Sequence, residues 1–316
     1  MQMKKKEQKF ISLVVYLNNV ENKITHFLDT ILPVMEDNFM QYELVCVDDG
    51  CTDETIDVLK EYLKTEKKSV MVNIIHMSFF HGLESSMNAG RDLAIGDFVY
   101  EFDSIYVDYD PELLLQVYNR LLEGYDIVSA GIKGNISFTS GMFYYFYNKT
   151  SRGKGKIGPE SFRLVSRRAI NRIKSIGQYI PYRKAIYSNC GLKNSVIFYQ
   201  PSNKERHERK KNQAERASLA LDSFIYFTNA LERISAYISG IFLVVTLGMG
   251  IYLIKDLLLG EHVVEGWMST MGFLSVGFFG VFVLLTIILK YLSVMLNLIF
   301  RQQRYLISDI EKVGKE

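Results

Sequence analysis

Val47-Asp48-Asp49-Gly50-Cys51-Thr52-Asp53-Glu54-Thr55 is the stretch whose reading decides the fold. An apolar run, Tyr42-Glu43-Leu44-Val45-Cys46-Val47, leads into it. That run is short, partly β-branched, and ends at two carboxylates and a glycine, so it predicts a buried strand entering a turn. Thr52 or Asp53 can cap the next helix, with Asp53 and Glu54 in its first turn. Carboxylates at the carboxyl end of a central strand stand where open α/β sheets bind ligands. They repel phosphate, but they can accept hydrogen bonds from a base or ribose, or help hold a cation. A polar turn with a helix cap needs no ligand, so both readings stay open on this stretch alone.

On either side, strand and helix patterns alternate. Strands are predicted at 10–17, 42–47, 70–76, 98–102 and 126–130, with helices at about 23–36, 53–67, 82–95 and 111–123. Pro111 and Glu112 mark a helix start. This alternation predicts an α/β domain with a mostly parallel sheet covered on both faces. Residues 131–159 read as less regular, 160–173 as a short strand plus helix, and 194–200 as a further strand. No internal repeat appears.

The chain has 316 residues and a formal net charge of +2, which gives no nucleic-acid signature. Three cysteines without a C-x-x-C pair point to reduced thiols rather than a zinc knuckle or disulfide framework. No secretory signal is apparent at the N-terminus. Residues 234–254 and 267–289 carry no charge. At about 1.5 Å per residue each spans roughly 30 Å, the thickness of a hydrocarbon core. They predict two membrane helices, with Trp267 and Tyr252 at the interface. The link between them is acidic and the outer flanks basic, so both ends are expected in the cytoplasm, on the inner (cytoplasmic) membrane. Glycines 240, 248, 250, 272, 277 and 280 allow close helix contact and leave room for a homo-oligomer. The predicted organisation is a domain at 1–200, a basic amphipathic segment at 201–233, the membrane hairpin within 234–300, and a cytoplasmic tail at 301–316.

The motifs together resemble family-2 glycosyltransferases of the GT-A (Rossmann-like) fold. They are D-D-G-x-T-D-x-T at 48–55, Gly82 and Gly90, Ala94-Ile95-Gly96-Asp97, an apolar strand ending in Asp103, Pro111-Glu112, and Ser161-Phe162-Arg163-Leu164 with Ser166-Arg167-Arg168. The two apolar segments and the tail resemble the polyprenyl-phosphate branch, which includes dolichyl-phosphate mannose synthase and bactoprenol glucosyltransferases. The resemblance implies transfer of a hexose from a nucleotide-diphosphate sugar, UDP-linked, to polyprenyl phosphate, with Mg²⁺ or Mn²⁺ as cofactor. It places Asp48, Asp49, Glu21, Thr52 and Asp53 on the nucleotide side. It makes Asp103 the metal ligand and sets Arg163 before a phosphate, that of the acceptor.

The sequence departs from the family pattern at the metal motif. D-x-D-x-Q is replaced by Asp103-Ser104-Ile105-Tyr106-Val107, which puts aliphatic side chains at two ligand positions. Asp108 or Asp110 could substitute if the loop bends differently. The usual S-R-N-x-G is Ser78-Phe79-Phe80-His81-Gly82, and Lys133 stands where an Arg pair is expected. Two classes therefore remain: a divergent transferase using Asp103 and Asp108, or a transferase-like membrane protein acting as a binding or assembly subunit.

Overall fold

A computed structural model describes residues 6–65, 70–134, 138–150, 156–176, 182–201, isolated positions between 237 and 251, 266–300 and 305–313. The chain divides into two compact units, the second containing Leu221–Phe300.

The first unit is built on one eight-stranded sheet. Its strands are β1 (Glu7–Leu17), β2 (Phe39–Asp48), β3 (Met71–Met77), β4 (Phe98–Phe102), β5 (Ile127–Ile132), β6 (Glu160–Ser166), β7 (Asn194–Tyr199) and β8 (Ile307–Val313). Their order across the sheet is β7-β5-β6-β4-β1-β2-β3-β8. β1 to β4 run parallel, and so do β5 and β7, while β6 and β8 pair antiparallel with their neighbours.

Residues 11–15 of β1 and 43–48 of β2 are buried without interruption, the pattern of strands covered on both faces. On one face lie α1 (Ile24–Asn38), α2 (Thr55–Thr65) and α4 (Glu112–Leu122). The stripe Ile24, Phe27, Leu28, Ile31, Leu32 and Met35 repeats at helical spacing and packs α1 onto the sheet. On the other face lie α3 (Leu83–Leu93), α6 (Arg167–Ile176) and α7 (Arg183–Asn189). α3 sits close to β1 and β2 because Gly90 has no side chain. A Cβ there would stand 2.5 Å from Val14 Cγ1 and 2.6 Å from Val47 Cγ2.

Three elements differ from the sequence reading. Residues 138–150, expected to be irregular, form the helix α5 (Phe138–Thr150), in which Tyr147 is buried. α7 follows Tyr182, where no element was predicted. The tail does not hang free: it returns as β8 and closes the β3 edge of the sheet. An uncovered edge strand invites pairing with another chain.

In the second unit, Trp267–Phe300 forms one helix, α8, of 34 residues. The side chains at 267–269, 271, 272, 275, 282, 293 and 296–300 lie outside the described set. Among the described residues no helix is long and apolar enough to cross a membrane. The first expected span, 234–254, and the amphipathic segment at 201–233 fall mostly or wholly outside the described residues.

Candidate active site

Strand order reverses at β1: the chain proceeds from β1 to β2 and β3 on one side, then returns to β4 on the other. The crevice beyond the carboxyl ends of β1 and β4 is therefore a topological switch point, where open α/β sheets take ligands. Asp48 ends β2 and Asp103 follows β4. With β1 between them, the two strands lie about 10 Å apart at ladder spacing. The predicted aspartates thus gather on one rim of one sheet.

The turn after β2 is built by its own polar atoms. Gly50 has φ +69°, a conformation that costs glycine little. Asp48 Oδ1 accepts from the Cys51 backbone N–H at 2.8 Å. Its Oδ2 lies 2.9 Å from His76 Nδ1, and His76 Nε2 lies 3.5 Å from Glu311 on β8. Asp49 is fully buried. It accepts from Tyr16 Oη at 2.9 Å, from the His81 N–H at 2.7 Å and from the Gly82 N–H at 2.9 Å. Asp49 thereby ties together the ends of β1, β2 and β3.

The remaining nucleotide-side residues join the loops after β1 and β2. Thr52 donates from N–H and Oγ1 to Asn19 Oδ1 at 2.8 and 3.2 Å. Asp53 accepts from the Glu21 N–H at 3.2 Å and, at the start of α2, from the Thr55 N–H at 3.1 Å and Thr55 Oγ1 at 2.6 Å. Glu21 accepts from the Glu54 N–H at 2.9 Å. These bonds make the rim a cross-tied unit. Thr52 is exposed and Glu21 and Asp53 are half-buried at its outer edge, while Asp48 is buried and Asp49 is its internal brace.

β8 reaches this rim. Leu306 N–H donates to His81 Nε2 at 3.1 Å, Ser308 Oγ donates to the His76 carbonyl at 3.0 Å, and Tyr305 Oη donates to Asp92 at 2.9 Å. His76 and His81 link the tail to both carboxylates of the D-D-G turn.

The other half of the site is a buried ionic cluster. Glu101 and Asp103 alternate along β4 and share a face. Arg163 on β6 pairs directly across from Glu101. Arg163 donates to Glu101 at 2.9 Å, Asp103 Oδ2 at 2.6 Å and Glu160 at 3.0 Å. Arg183, at the start of α7, donates to Glu84 at 2.9 Å, Glu101 at 2.8 Å and Asp103 Oδ1 at 2.6 Å. Tyr187 bonds to Glu101 through its hydroxyl. Arg163 is 1% exposed and Arg183 is fully buried, so the guanidinium expected before a phosphate is taken up by three carboxylates. Burial alone would raise the Asp103 carboxyl, but Arg163, Arg183 and Lys184 outweigh it and hold it well below its ordinary 3.8. The same balance holds Glu160 below 4.5, with Arg163 the largest of the opposing influences.

The residues present do not fit the implied divalent ion. Both Asp103 oxygens accept from guanidinium groups. Ile105 and Val107 offer no oxygen, and no group of three or more His, Cys, Asp or Glu able to hold a metal occurs among the described residues. Asp108 accepts from Tyr199 Oη at 2.6 Å, and Asp110 accepts from the Glu112 N–H at 2.9 Å at the start of α4.

Sequence reasoning missed Arg183, Glu84, Glu101, Glu160 and Tyr187. One signal was available: Glu101 interrupts an apolar strand, and a buried carboxylate needs a partner. The A-x-G-D motif proves to be a brace. Gly96 N–H donates to Ser12 Oγ at 2.8 Å, and Arg167 donates to the Ala94 and Gly96 carbonyls at 2.8 and 2.7 Å. The cysteines are free, and burial pushes the Cys46 and Cys51 thiols up to about 12.

Comparisons with known proteins agree with this architecture. An uncharacterized glycosyltransferase of Synechocystis is 26% identical over 309 residues, 95% of each chain. A prophage bactoprenol glucosyl transferase homolog of Escherichia coli is 28% identical over 271 residues, covering 82% of this chain and 85% of that one. The crystal structure of glucosyl-3-phosphoglycerate synthase from Mycobacterium tuberculosis, in complex with phosphoglyceric acid, aligns with a TM-score of 0.50 at 15% identity. It covers 69% of this chain and 78% of that chain and carries the same GT-A-like fold. The family profile described as "Glycosyl transferase family 2" matches residues 12–180, more than half of the chain, and the protein belongs to that family of glycosyltransferases.

Proposed function

We propose that this glycosyltransferase moves a hexose from a nucleotide-diphosphate sugar, UDP-linked, to polyprenyl phosphate at the cytoplasmic face of the inner membrane, for cell-surface glycan assembly or modification. The observation that carries the reading is the acidic rim at the switch point. Asp48, Glu21, Thr52 and Asp53 offer acceptors and hydroxyls suited to a base and ribose, and repel rather than bind free phosphate. The bactoprenol glucosyl transferase relative, aligned over 82% of this chain, supports the lipid-phosphate acceptor. Residues 267–289, with no charge, support membrane attachment. Exposed Val276, Phe278, Phe279, Ile288 and Leu289 on α8 give that stretch a surface unsuited to water.

The chemistry asks little of a general base. A phosphate oxygen of the acceptor is already ionised and attacks the anomeric carbon as the bond to the leaving diphosphate breaks. Catalysis then rests on holding the two substrates in line. The rim orients the nucleotide, and the Asp103–Arg163–Arg183 cluster fixes the β4 end of the crevice.

The test is incubation of membranes containing the full-length protein with radiolabelled UDP-hexoses and polyprenyl phosphate. Labelled lipid that disappears when Asp48 is replaced by Asn is the expected result. No lipid product with any nucleotide sugar would overturn the reading and leave a binding or assembly role.

A further inference from the structure

Asp103 stands where a hard cation would need open oxygens, yet its two oxygens each accept a 2.6 Å bond from a different buried arginine. Glu84, Glu101, Asp103 and Glu160 are already paired with Arg163, Arg183 and Lys184. Arg91 donates to the Tyr187 hydroxyl, which bonds Glu101 in turn, and its own ion pair is with Asp92. Arg91, Arg163 and Arg183 are at most 1% exposed. A divalent ion at Asp103 would have to displace a guanidinium from one of its oxygens and leave a buried arginine without its carboxylate, which is strongly unfavourable in an interior. The neighbouring positions cannot complete its shell: Ile105 is buried, Val107 packs on the core, and Asp108 and Asp110 are engaged elsewhere.

We propose that Asp103 is the shared carboxylate of a buried arginine clamp and not a metal ligand, and that donor binding by this chain draws on no divalent ion. Asp103, Arg163 and Arg183 are then positioning residues: the clamp joins β4, β6, α3 and α7 and sets the wall of the crevice. The donor part of this inference rests on the proposed function, whereas the metal part does not.

The experiment uses the full-length protein in detergent. Mn²⁺ is titrated with protein while the six-line electron paramagnetic resonance signal of the free ion is recorded, with and without UDP. UDP-hexose binding is measured by calorimetry in EDTA and in Mn²⁺. The expected result is a free-ion signal equal to that of a protein-free blank at the same UDP concentration, since UDP itself chelates Mn²⁺, and a Kd that changes less than tenfold between the two buffers. Stoichiometric loss of the free-ion signal that Asp103→Asn abolishes would overturn the proposal. A Kd weakened tenfold or more in EDTA would overturn it too, because a metal that tightens nucleotide binding must itself be tightened by the nucleotide. If no UDP-hexose binds in either buffer, the proposed function fails, and the resonance titration still decides the role of Asp103.

Discussion

Arg183 shows how one side chain settles the character of the site. It is fully buried and satisfies three carboxylates, one on α3 and two at the end of β4. Replacing Arg183 with Met leaves Glu84, Glu101 and Asp103 short of a counter-charge, and breaking one side of a buried ionic pair typically costs about 3–5 kcal/mol. Thermal unfolding of the solubilised protein should fall accordingly, while Arg183→Lys should recover only part of the loss, because an ammonium lacks the planar fork. The cluster also sets an acid limit. The Asp103 and Glu160 carboxyls are held below their ordinary values of 3.8 and 4.5 by the neighbouring cations, against the opposing pull of burial. Groups depressed in the folded state contribute stability that is fully present above their unfolded values and is lost as pH falls toward the folded ones. Circular-dichroism melts should therefore be insensitive to these groups between pH 7 and about 5.5, and drop steeply as the pH is taken below about 4. A midpoint that rises on acidification would contradict that balance.

At the scale of the element, β8 carries the main consequence. It supplies the antiparallel partner of β3, and it holds His76 and His81 beside the D-D-G turn. Ending the chain after residue 304 should uncover the β3 edge and release both histidines. Size-exclusion chromatography should then show self-association of the truncated protein, as expected of a bare edge strand, and UDP affinity should fall severalfold. A monodisperse truncated protein with wild-type UDP affinity would reduce β8 to a passive cover. The glycine of α3 works at the same scale. Gly90 was legible as a family motif, but its reason is contact between helix and sheet: Val14 and Val47 occupy the space a side chain would need.

At the scale of the whole molecule, β8 and β1–β4 belong to one sheet, so the residues before 201 and after 304 lie on the same side of any membrane the chain enters. The stretch between them must cross an even number of times or not at all. Tags at the N- and C-termini should accordingly share one accessibility, both protected or both exposed, in intact spheroplasts and again in inverted vesicles; opposite accessibility would be incompatible with the sheet. The sequence by itself determined the α/β class, the β1–β4 framework, the turn at Asp48 and Asp49, and the family, because strand periodicity, turn glycines and helix caps are local signals carried by neighbouring residues. Only the tertiary structure decided that Asp49 is a brace, that Arg163 and Arg183 both close on Asp103, and that the tail is a strand. These depend on residues 32 to more than 200 positions apart meeting across a sheet, and no local pattern reports which distant charge will meet a buried carboxylate.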